Sequence, residues 1–208
     1  MTNPPFSLFR EYVAQLFEYE KQFLIIGSVN AITYKEIFPK IKSNKIWLGP
    51  SIYSGDREFE IPGSVVDLDK FTGEVRNGRY YQRVMGVRWF TNLDHGKRHQ
   101  HLELMTMEQN KKFNSKVMKS DFAYKKYDNH SAIEVSFVEV IPSDYYDVMG
   151  VPISFLDKYN PDQFEIVGCS YSYGRPDGWD SSINMAVSVG GVDVYKRLLI
   201  KHKKGQVE

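Results

Sequence analysis

Only two residues precede the tetrapeptide Asn3-Pro4-Pro5-Phe6, and its two prolines limit what can follow. Successive prolines stop a helix from extending backward, so any helix after them must begin there. Residues 7–19 carry apolar side chains at intervals of three and four, which predicts an amphipathic helix. Residues 23–27 form a short apolar run, typical of a strand buried on both faces. A loop, a helix and a buried strand in this order predict a parallel α/β sheet, with the tetrapeptide at the carboxyl end of a preceding strand.

The tetrapeptide suits the activation of an exocyclic amine on a planar base. The lone pair of an adenine or cytosine amine is conjugated into the ring, so the amine is a poor nucleophile. The side-chain oxygen of Asn3 and the carbonyl oxygen of Pro4 could accept hydrogen bonds from its two N–H groups and so pull the nitrogen toward tetrahedral geometry. The stiff backbone at Pro4 and Pro5 would hold both acceptors in place.

Phe6 offers a ring on which such a base could stack. A base inside duplex DNA would have to be flipped out before it could reach this pocket. Asn-Pro-Pro also suits an ordinary turn or helix entry, and the four residues by themselves leave both interpretations open.

The composition limits the classes of protein to which this chain can belong. The chain has 208 residues, enough for one domain with a sizeable insertion, and its net charge is only +1. Nucleic-acid binding would therefore come from local basic patches. The single cysteine, Cys169, excludes an internal disulfide framework and a multi-cysteine zinc site. A cytoplasmic location fits this cysteine content, and no apolar run is long enough to cross a membrane.

The densest basic stretch is interleaved with aromatic residues, which suits phosphate contact and base stacking. Its members are our candidates for DNA contact: Arg76, Arg79, Arg83, Arg88, Lys97 and Arg98. A solvated surface is the competing interpretation for each of them. His95 and His99 are four residues apart and could be taken for metal ligands. The lysine and arginine between them favour a phosphate-facing loop, so we predict no metal site.

Further elements are predicted from local patterns. A second helix is expected over residues 31–41, disturbed by Pro39. Extended segments are expected at the following positions: residues 84–93, 132–135, 138–141, 164–168 and 194–201.

Longer blocks of the chain resemble a known family. The blocks are TNPPFSLFREYV, FLIIGSVNAITYKEIFPKIKSNKIWLG, VRWFTNLDH, KYDNHSAIEV and DVMGVPISFLDKYNPDQFEIVG. Together they resemble the EcoRI-type adenine-specific DNA methyltransferases over nearly the whole chain, from Thr2 to about Lys201. Asn3, Pro4, Pro5 and Phe6 match the family's catalytic tetrapeptide without substitution.

The resemblance implies N6-methylation of adenine in double-stranded DNA, with S-adenosylmethionine as the methyl donor and a cognate restriction endonuclease as a possible partner. It also implies a Rossmann-like methyltransferase fold with inserted recognition loops. Within this fold, residues 1–44 would form the C-terminal half of the methyltransferase core. Residues 45–208 would add the remaining strands and the DNA-recognition insertions.

The resemblance also implies a glycine-rich donor-binding loop well upstream of the tetrapeptide, and no such loop precedes Thr2. We therefore expect an N-terminally truncated fragment or a late start codon, with the fold present from its fourth strand onward and donor binding in doubt. Two alternatives remain open. One is a different amino-methyltransferase, acting on cytosine N4 or on a protein glutamine, and the other is a non-catalytic DNA-binding fragment.

Overall fold

The computed structural model describes residues 1–49, 57–170, 173–179 and 186–203. It is a mixed α/β structure with several small sheets. The chain divides into two compact units. The first comprises Met1–Ile32 and Leu48–Leu93, and the second comprises Thr33–Trp47 and Asp94–Glu208. In the part of the chain described, no helix is long and apolar enough to cross a membrane.

The first unit contains the tetrapeptide and two sheets. A 3-10 helix at Phe6–Leu8 leads into α1 (Phe9–Glu18), and β1 (Leu24–Ser28) follows. The remaining strands are β2 (Trp47–Leu48, where the chain enters this unit), β3 (Arg57–Ile61), β4 (Glu74–Arg76), β5 (Arg79–Val84) and β6 (Val87–Thr91). Another 3-10 helix lies at Gly63–Val65. One sheet has the order β1-β6-β2 and the other has the order β3-β5-β4.

The core of the first unit lies between α1 and the β1-β6-β2 sheet. Phe9 and Val13 on α1 are buried, as are Ile25 on β1 and Phe90 on β6. The Phe9 and Phe90 rings meet edge to face with their centroids 5.1 Å apart. The apolar spacing of residues 7–19 therefore identified the buried face of the helix correctly.

The second unit is built around a four-stranded sheet of order β7-β8-β12-β9. Its strands are β7 (Ile133–Glu134), β8 (Met149–Pro152), β9 (Phe164–Cys169) and β12 (Arg197–His202), and a hairpin of β10 (Val187–Val189) and β11 (Val192–Val194) accompanies them. Its α-helices are α2 (Phe38–Lys42), α3 (Met107–Phe113) and α4 (Ser115–Met118). Short 3-10 helices lie at Gly96–His99, Val138–Val140 and Ile153–Lys158.

Strand direction differs from the sequence-based expectation of a parallel sheet. β6 pairs antiparallel with β1, with Ile25 opposite Phe90, and β12 pairs antiparallel with both β8 and β9. The β7–β8 pair is parallel. The α/β class is confirmed at this coarse level, whereas the Rossmann-like arrangement and the division at residue 44 stay predictions.

Two local predictions were wrong. The helix expected over residues 31–41 is replaced by a 3-10 helix at Val29–Thr33 and by α2, with Pro39 in the first turn of α2. Proline lacks a backbone N–H and fits the start of a helix, so a new helix begins there instead of an old one continuing. The extended segment expected at 138–141 is a 3-10 helix over Val138–Val140. Its apolar residues Val138 and Val140 are buried without belonging to a strand.

Candidate active site

The tetrapeptide follows a backbone segment that pairs in parallel with β1. The Thr2 N–H donates to the Leu24 carbonyl over 3.1 Å, and the Ile26 N–H donates to the Thr2 carbonyl over 3.3 Å. These bonds form a parallel bridge between Thr2 and Ile25. Asn3 is thus the first residue after a position that is paired in parallel with β1.

Exposure varies along the tetrapeptide. Pro4 is buried, whereas Asn3 and Pro5 are exposed and Phe6 is 42% exposed. The Leu8 N–H donates to the Pro5 carbonyl over 3.0 Å, which closes the first turn of the following helix. The buried proline therefore anchors the loop, while the side chains before and after the two prolines face solvent.

Both proposed acceptors lack hydrogen-bond partners in the part of the chain that the structure describes. Within the described residues, neither the Asn3 side chain nor the Pro4 carbonyl makes a hydrogen bond. Polar groups held by a stiff backbone, with no competing internal bond, are suited to accept N–H bonds from a ligand. Phe6 supplies an exposed ring two residues beyond Pro4. The tetrapeptide can therefore contact a planar base both at the edge that carries its amine and on one face of its ring.

A close contact between α1 and β1 fixes the helix that follows the tetrapeptide. The Phe9 ring lies directly against Gly27, and a Cβ atom at Gly27 would overlap that ring. Glycine is therefore required for the helix to approach the strand this closely.

Side-chain hydrogen bonds hold the segment between α1 and β1 to residues at the end of β6. The Asn92 side chain accepts from the Phe23 N–H over 2.8 Å and donates to the Lys21 carbonyl over 3.0 Å. The Thr91 hydroxyl donates to the Phe23 carbonyl over 2.6 Å. The tetrapeptide thus precedes a helix that packs against β1 and whose following segment is bonded to the end of β6.

Three of the candidate DNA-contact arginines lie on one face of the β3-β5-β4 sheet. The Arg76 guanidinium bonds to Glu58 over 2.8 and 2.9 Å and to Glu74 over 2.5 and 2.9 Å. These hydrogen bonds raise the pKa of Arg76, with the Glu58 bond contributing most. The Arg76 side chain also holds the pKa of Glu74 below its usual value. Arg76 is thus neutralised within the sheet.

The other two arginines of this face also lie beside carboxylates. Arg79 forms an ion pair with Glu60 over 3.3 Å, and exposed Arg83 lies opposite Glu58 in the strand register. The face therefore carries glutamates beside its arginines, and its local charge is far lower than the arginine content suggests.

The remaining candidates differ in exposure. Arg88 on β6 is buried, and its guanidinium donates to the Val87 carbonyl over 3.0 Å. Exposed Lys97 and buried Arg98 belong to the second unit. Roles in DNA contact for all six candidates stay predictions.

Arg98 is buried and contacts three other residues of the protein. Its guanidinium lies 3.7 Å from the centre of the Trp47 ring, hydrogen-bonds Asn44 and approaches Asp94 at 3.5 Å. Only 9% of the residue is exposed. Burial lowers the pKa of Arg98, with Asp94 opposing this effect. These contacts tie the Gly96–His99 turn to the segment that precedes β2.

His99 bonds to two carboxylates through its two ring nitrogens. Nδ1 lies 2.6 Å from Asp162, and Nε2 lies 3.0 Å from Asp94. Hydrogen bonding to Asp162, and next to Asp94, raises the pKa of His99. In the described part of the chain, no group of three or more histidine, cysteine, aspartate or glutamate residues could hold a metal ion.

Comparison with known proteins assigns the family. The model of the family "Adenine-specific methyltransferase EcoRI" matches residues 1–204, and the chain belongs to this family. No solved structure gives a significant match.

Three relatives are Type II methyltransferases. M.EcoRI of Escherichia coli is 42% identical over 209 residues, which cover 99% of this chain and 58% of the relative. M.MgeORF184P of Mycoplasma genitalium is 37% identical over 171 residues, covering 81% of this chain and 51% of the relative. M.MpnI of Mycoplasma pneumoniae is also 37% identical over 171 residues, covering 81% of this chain and 50% of the relative. The chain thus spans about half the length of these relatives, and the resemblance inferred from the sequence blocks is confirmed.

Proposed function

We propose that residues 1–208 supply the target-base side of the active site in a site-specific DNA adenine N6-methyltransferase of the restriction-modification type. The observation that carries this proposal is the pair of acceptors at Asn3 and Pro4, both without internal hydrogen bonds in the described structure. Family membership supports adenine as the base, because the family is described as adenine-specific.

The Asn3 side-chain oxygen and the Pro4 carbonyl oxygen accept hydrogen bonds from the two N–H groups of the adenine N6 amine. This draws the nitrogen lone pair out of conjugation, so that it can attack a methyl carbon. Phe6 stacks on the flipped base and excludes water from one face of it. Most of the rate enhancement then comes from positioning and from alignment of charge.

S-adenosylmethionine supplies the methyl group as an activated sulfonium. The N6 nitrogen forms the new N–C bond as the C–S bond breaks, and one amine proton leaves to solvent. We assign no residue of the chain to donor binding. Titration of residues 1–208 with the donor by calorimetry measures directly whether this part of the protein binds it.

The proposal includes a Rossmann-like arrangement around the tetrapeptide. The parallel bridge between Thr2 and Ile25 supports it, because ligands of such folds bind at the carboxyl ends of parallel strands. It further includes double-stranded DNA as substrate, a cytoplasmic site of action where that DNA is found, and a cognate restriction endonuclease recognising the same sequence.

The nature of the methylated product tests the proposed function. The complete reading frame that encodes residues 1–208 is expressed in a host that lacks adenine methylation, and the host DNA is digested to nucleosides for mass spectrometry. We expect N6-methyldeoxyadenosine. N4-methylcytosine in its place, methylated protein glutamine, or unmodified DNA would each contradict the proposal.

A further inference from the structure

A second basic region lies in the second unit and was not among the candidates for DNA contact. Residues 107–126, which we call the lysine surface, comprise α3, α4 and the segment that follows them. The region carries two acidic residues, Glu108 and Asp121, against six lysines. The six are Lys111, Lys112, Lys116, Lys119, Lys125 and Lys126, and all are exposed. This excess of positive charge stands out in a chain whose net charge is only +1.

The lysines of this surface are largely without acidic partners. Lys116 lies 3.4 Å from Glu139, and among the described residues it alone of the six forms an ion pair. The arginines of the β3-β5-β4 sheet are different, since Arg76 and Arg79 are both paired with glutamates. A phosphate that approaches Arg76 must compete with two carboxylates, whereas Lys119 forms no ion pair with any carboxylate of the described residues.

Aromatic side chains and a helix cap order the elements that carry the lysines. The Tyr124 hydroxyl donates to the Val140 carbonyl over 2.7 Å, and the Lys111 Nζ lies 5.8 Å from the centre of the Tyr124 ring. Thr106 and Gln109 form a capping box at the start of α3, in which each side chain accepts from the other's backbone N–H. Lysines held on ordered elements lose less entropy on binding than lysines on a loose chain.

Exposed apolar side chains accompany the positive charge. Phe113 is 64% exposed and Met118 is 62% exposed, and in sequence both lie between lysines of this surface. The Lys112 Nζ lies 5.1 Å from the centre of the Phe113 ring. A face that served only to keep the protein in solution would gain nothing from these two residues. Surfaces that bind nucleic acid combine cations for phosphates with apolar groups for sugars and bases.

We propose that the lysine surface binds the phosphate backbone of duplex DNA. The choice of DNA as the polyanion rests on the function proposed above. Lysine is a point charge without a fixed fork of donors, so this contact positions the duplex and carries no sequence information. The paired arginines of the β3-β5-β4 sheet then serve mainly to stabilise that sheet.

Salt dependence of binding tests this surface. The protein from the complete reading frame binds an unmethylated duplex of arbitrary sequence, and the association constant is measured at several salt concentrations. The test variant carries Lys111→Gln, Lys112→Gln and Lys119→Gln. The matched control carries Lys21→Gln, Lys42→Gln and Lys45→Gln, three exposed lysines outside the surface. Both variants lose the same charge, and circular dichroism verifies that both remain folded.

The slope of log K against log salt is negative, and we expect it to become shallower by about two to three in the test variant. Each lost phosphate contact reduces the magnitude of the slope by about 0.9. Affinity at about 0.1 M salt should drop roughly tenfold or more, with the control close to wild type. An unchanged slope in the test variant, an equal loss in the control, or no salt-dependent duplex binding by the wild-type protein would overturn the proposal.

The product assay separates this result from the proposed function. If N6-methyldeoxyadenosine forms while the lysine variant keeps its slope, the proposed DNA contact at the lysine surface is wrong and the enzyme assignment stands. If the slope falls while no methylated base forms, the surface binds DNA and the enzyme assignment is wrong.

Discussion

Thr2 and Ile25 lie opposite each other in a parallel backbone bridge, joined through hydrogen bonds of 3.1 and 3.3 Å. Neighbouring segments that run in the same direction end at the same edge of a sheet. The chain passes from Thr2 directly into Asn3, so the tetrapeptide begins one residue after the bridge, on the side toward which β1 runs on to Ser28. In open parallel α/β sheets, ligands bind at the carboxyl ends of the strands.

The contact between Phe9 and Gly27 predicts a strict requirement for glycine. Gly27→Ala places a methyl group where the Phe9 ring lies, so α1 must shift away from β1. We expect a loss of about 1–3 kcal/mol in the free energy of unfolding, measured by urea denaturation. Gly96→Ala is the control, because a Cβ there meets no atom within 4 Å. Equal stability of the two variants would show that the ring moves aside without cost.

Phe6 is predicted to act through stacking on the target base. Phe6→Ala should lower kcat/KM for DNA methylation by about 5- to 150-fold, because a base–aromatic stack contributes about 1–3 kcal/mol. Leu8→Ala is the control, since Leu8 is also an exposed apolar residue of the Phe6–Leu8 turn. Steady-state kinetics with labelled donor measures both variants. If Leu8→Ala loses as much activity as Phe6→Ala, the effect belongs to the turn and not to the ring.

Glu134 and Arg197 form a buried ion pair in the second unit. The Arg197 Nη2 lies 2.8 Å from Glu134, which is 1% exposed, and the Tyr127 hydroxyl donates to the same carboxylate over 2.5 Å. Burial raises the pKa of Tyr127 far above its usual value, so this hydroxyl keeps its proton. The carboxylate therefore accepts from three donor groups: the Tyr127 hydroxyl, and Nε and Nη2 of Arg197.

Removal of one partner from this pair should be costly. Arg197→Gln leaves the Glu134 carboxylate buried without its cation, and we expect about 3–5 kcal/mol less stability toward urea. Lys201→Gln on the same strand breaks the exposed 3.2 Å pair with Glu165 and should cost at most about 1 kcal/mol. A small loss for Arg197→Gln would contradict the view that Glu134 depends on this ion pair for its burial.

The His99 contacts predict that stability depends on pH. The raised pKa means that the folded state holds the proton more tightly than the unfolded chain does. This stabilisation is complete below the ordinary histidine value of 6.5 and is lost as the pH rises through the folded-state pKa. The protein should therefore be less stable toward urea at pH 8.5 than at pH 6.

His99→Gln should flatten this dependence, because glutamine has no proton to lose in that range. His101→Gln is the control, since His101 is exposed and its ring makes no hydrogen bond to another described residue. A pH dependence that survives in His99→Gln would assign the effect to other groups.

The sequence predicted local elements better than their pairing. The spacing of Phe9 and Val13 predicted α1 and its buried face, because amphipathic periodicity reports burial directly. The antiparallel pairing of β1 with β6 joins residues 59 to 67 positions apart, and no local pattern encodes it. The break near Pro39 was visible in the sequence, but whether it ended a helix or began one depended on tertiary packing.

The candidate site was likewise predictable where it depends on neighbouring residues, and unpredictable where it depends on residues far apart in the sequence. The tetrapeptide could be predicted because its chemistry lies in four consecutive residues. The setting of Arg76 could not, because its partner Glu58 lies eighteen positions away on a strand two places across the sheet. The lysine surface was visible as charge, but only the structure shows that Lys119 forms no ion pair with another described residue.

Turnover by an Asn3 variant tests the central claim most directly. Asn3→Ala removes one of the two acceptors for the adenine amine, and Ser7→Ala removes an exposed hydroxyl four residues away as the matched control. Both proteins come from the complete reading frame, and formation of N6-methyldeoxyadenosine is followed with saturating DNA. We expect kcat to fall by at least about 100-fold in Asn3→Ala while Ser7→Ala remains near wild type. Full turnover by Asn3→Ala would contradict the claim that this tetrapeptide holds the target amine.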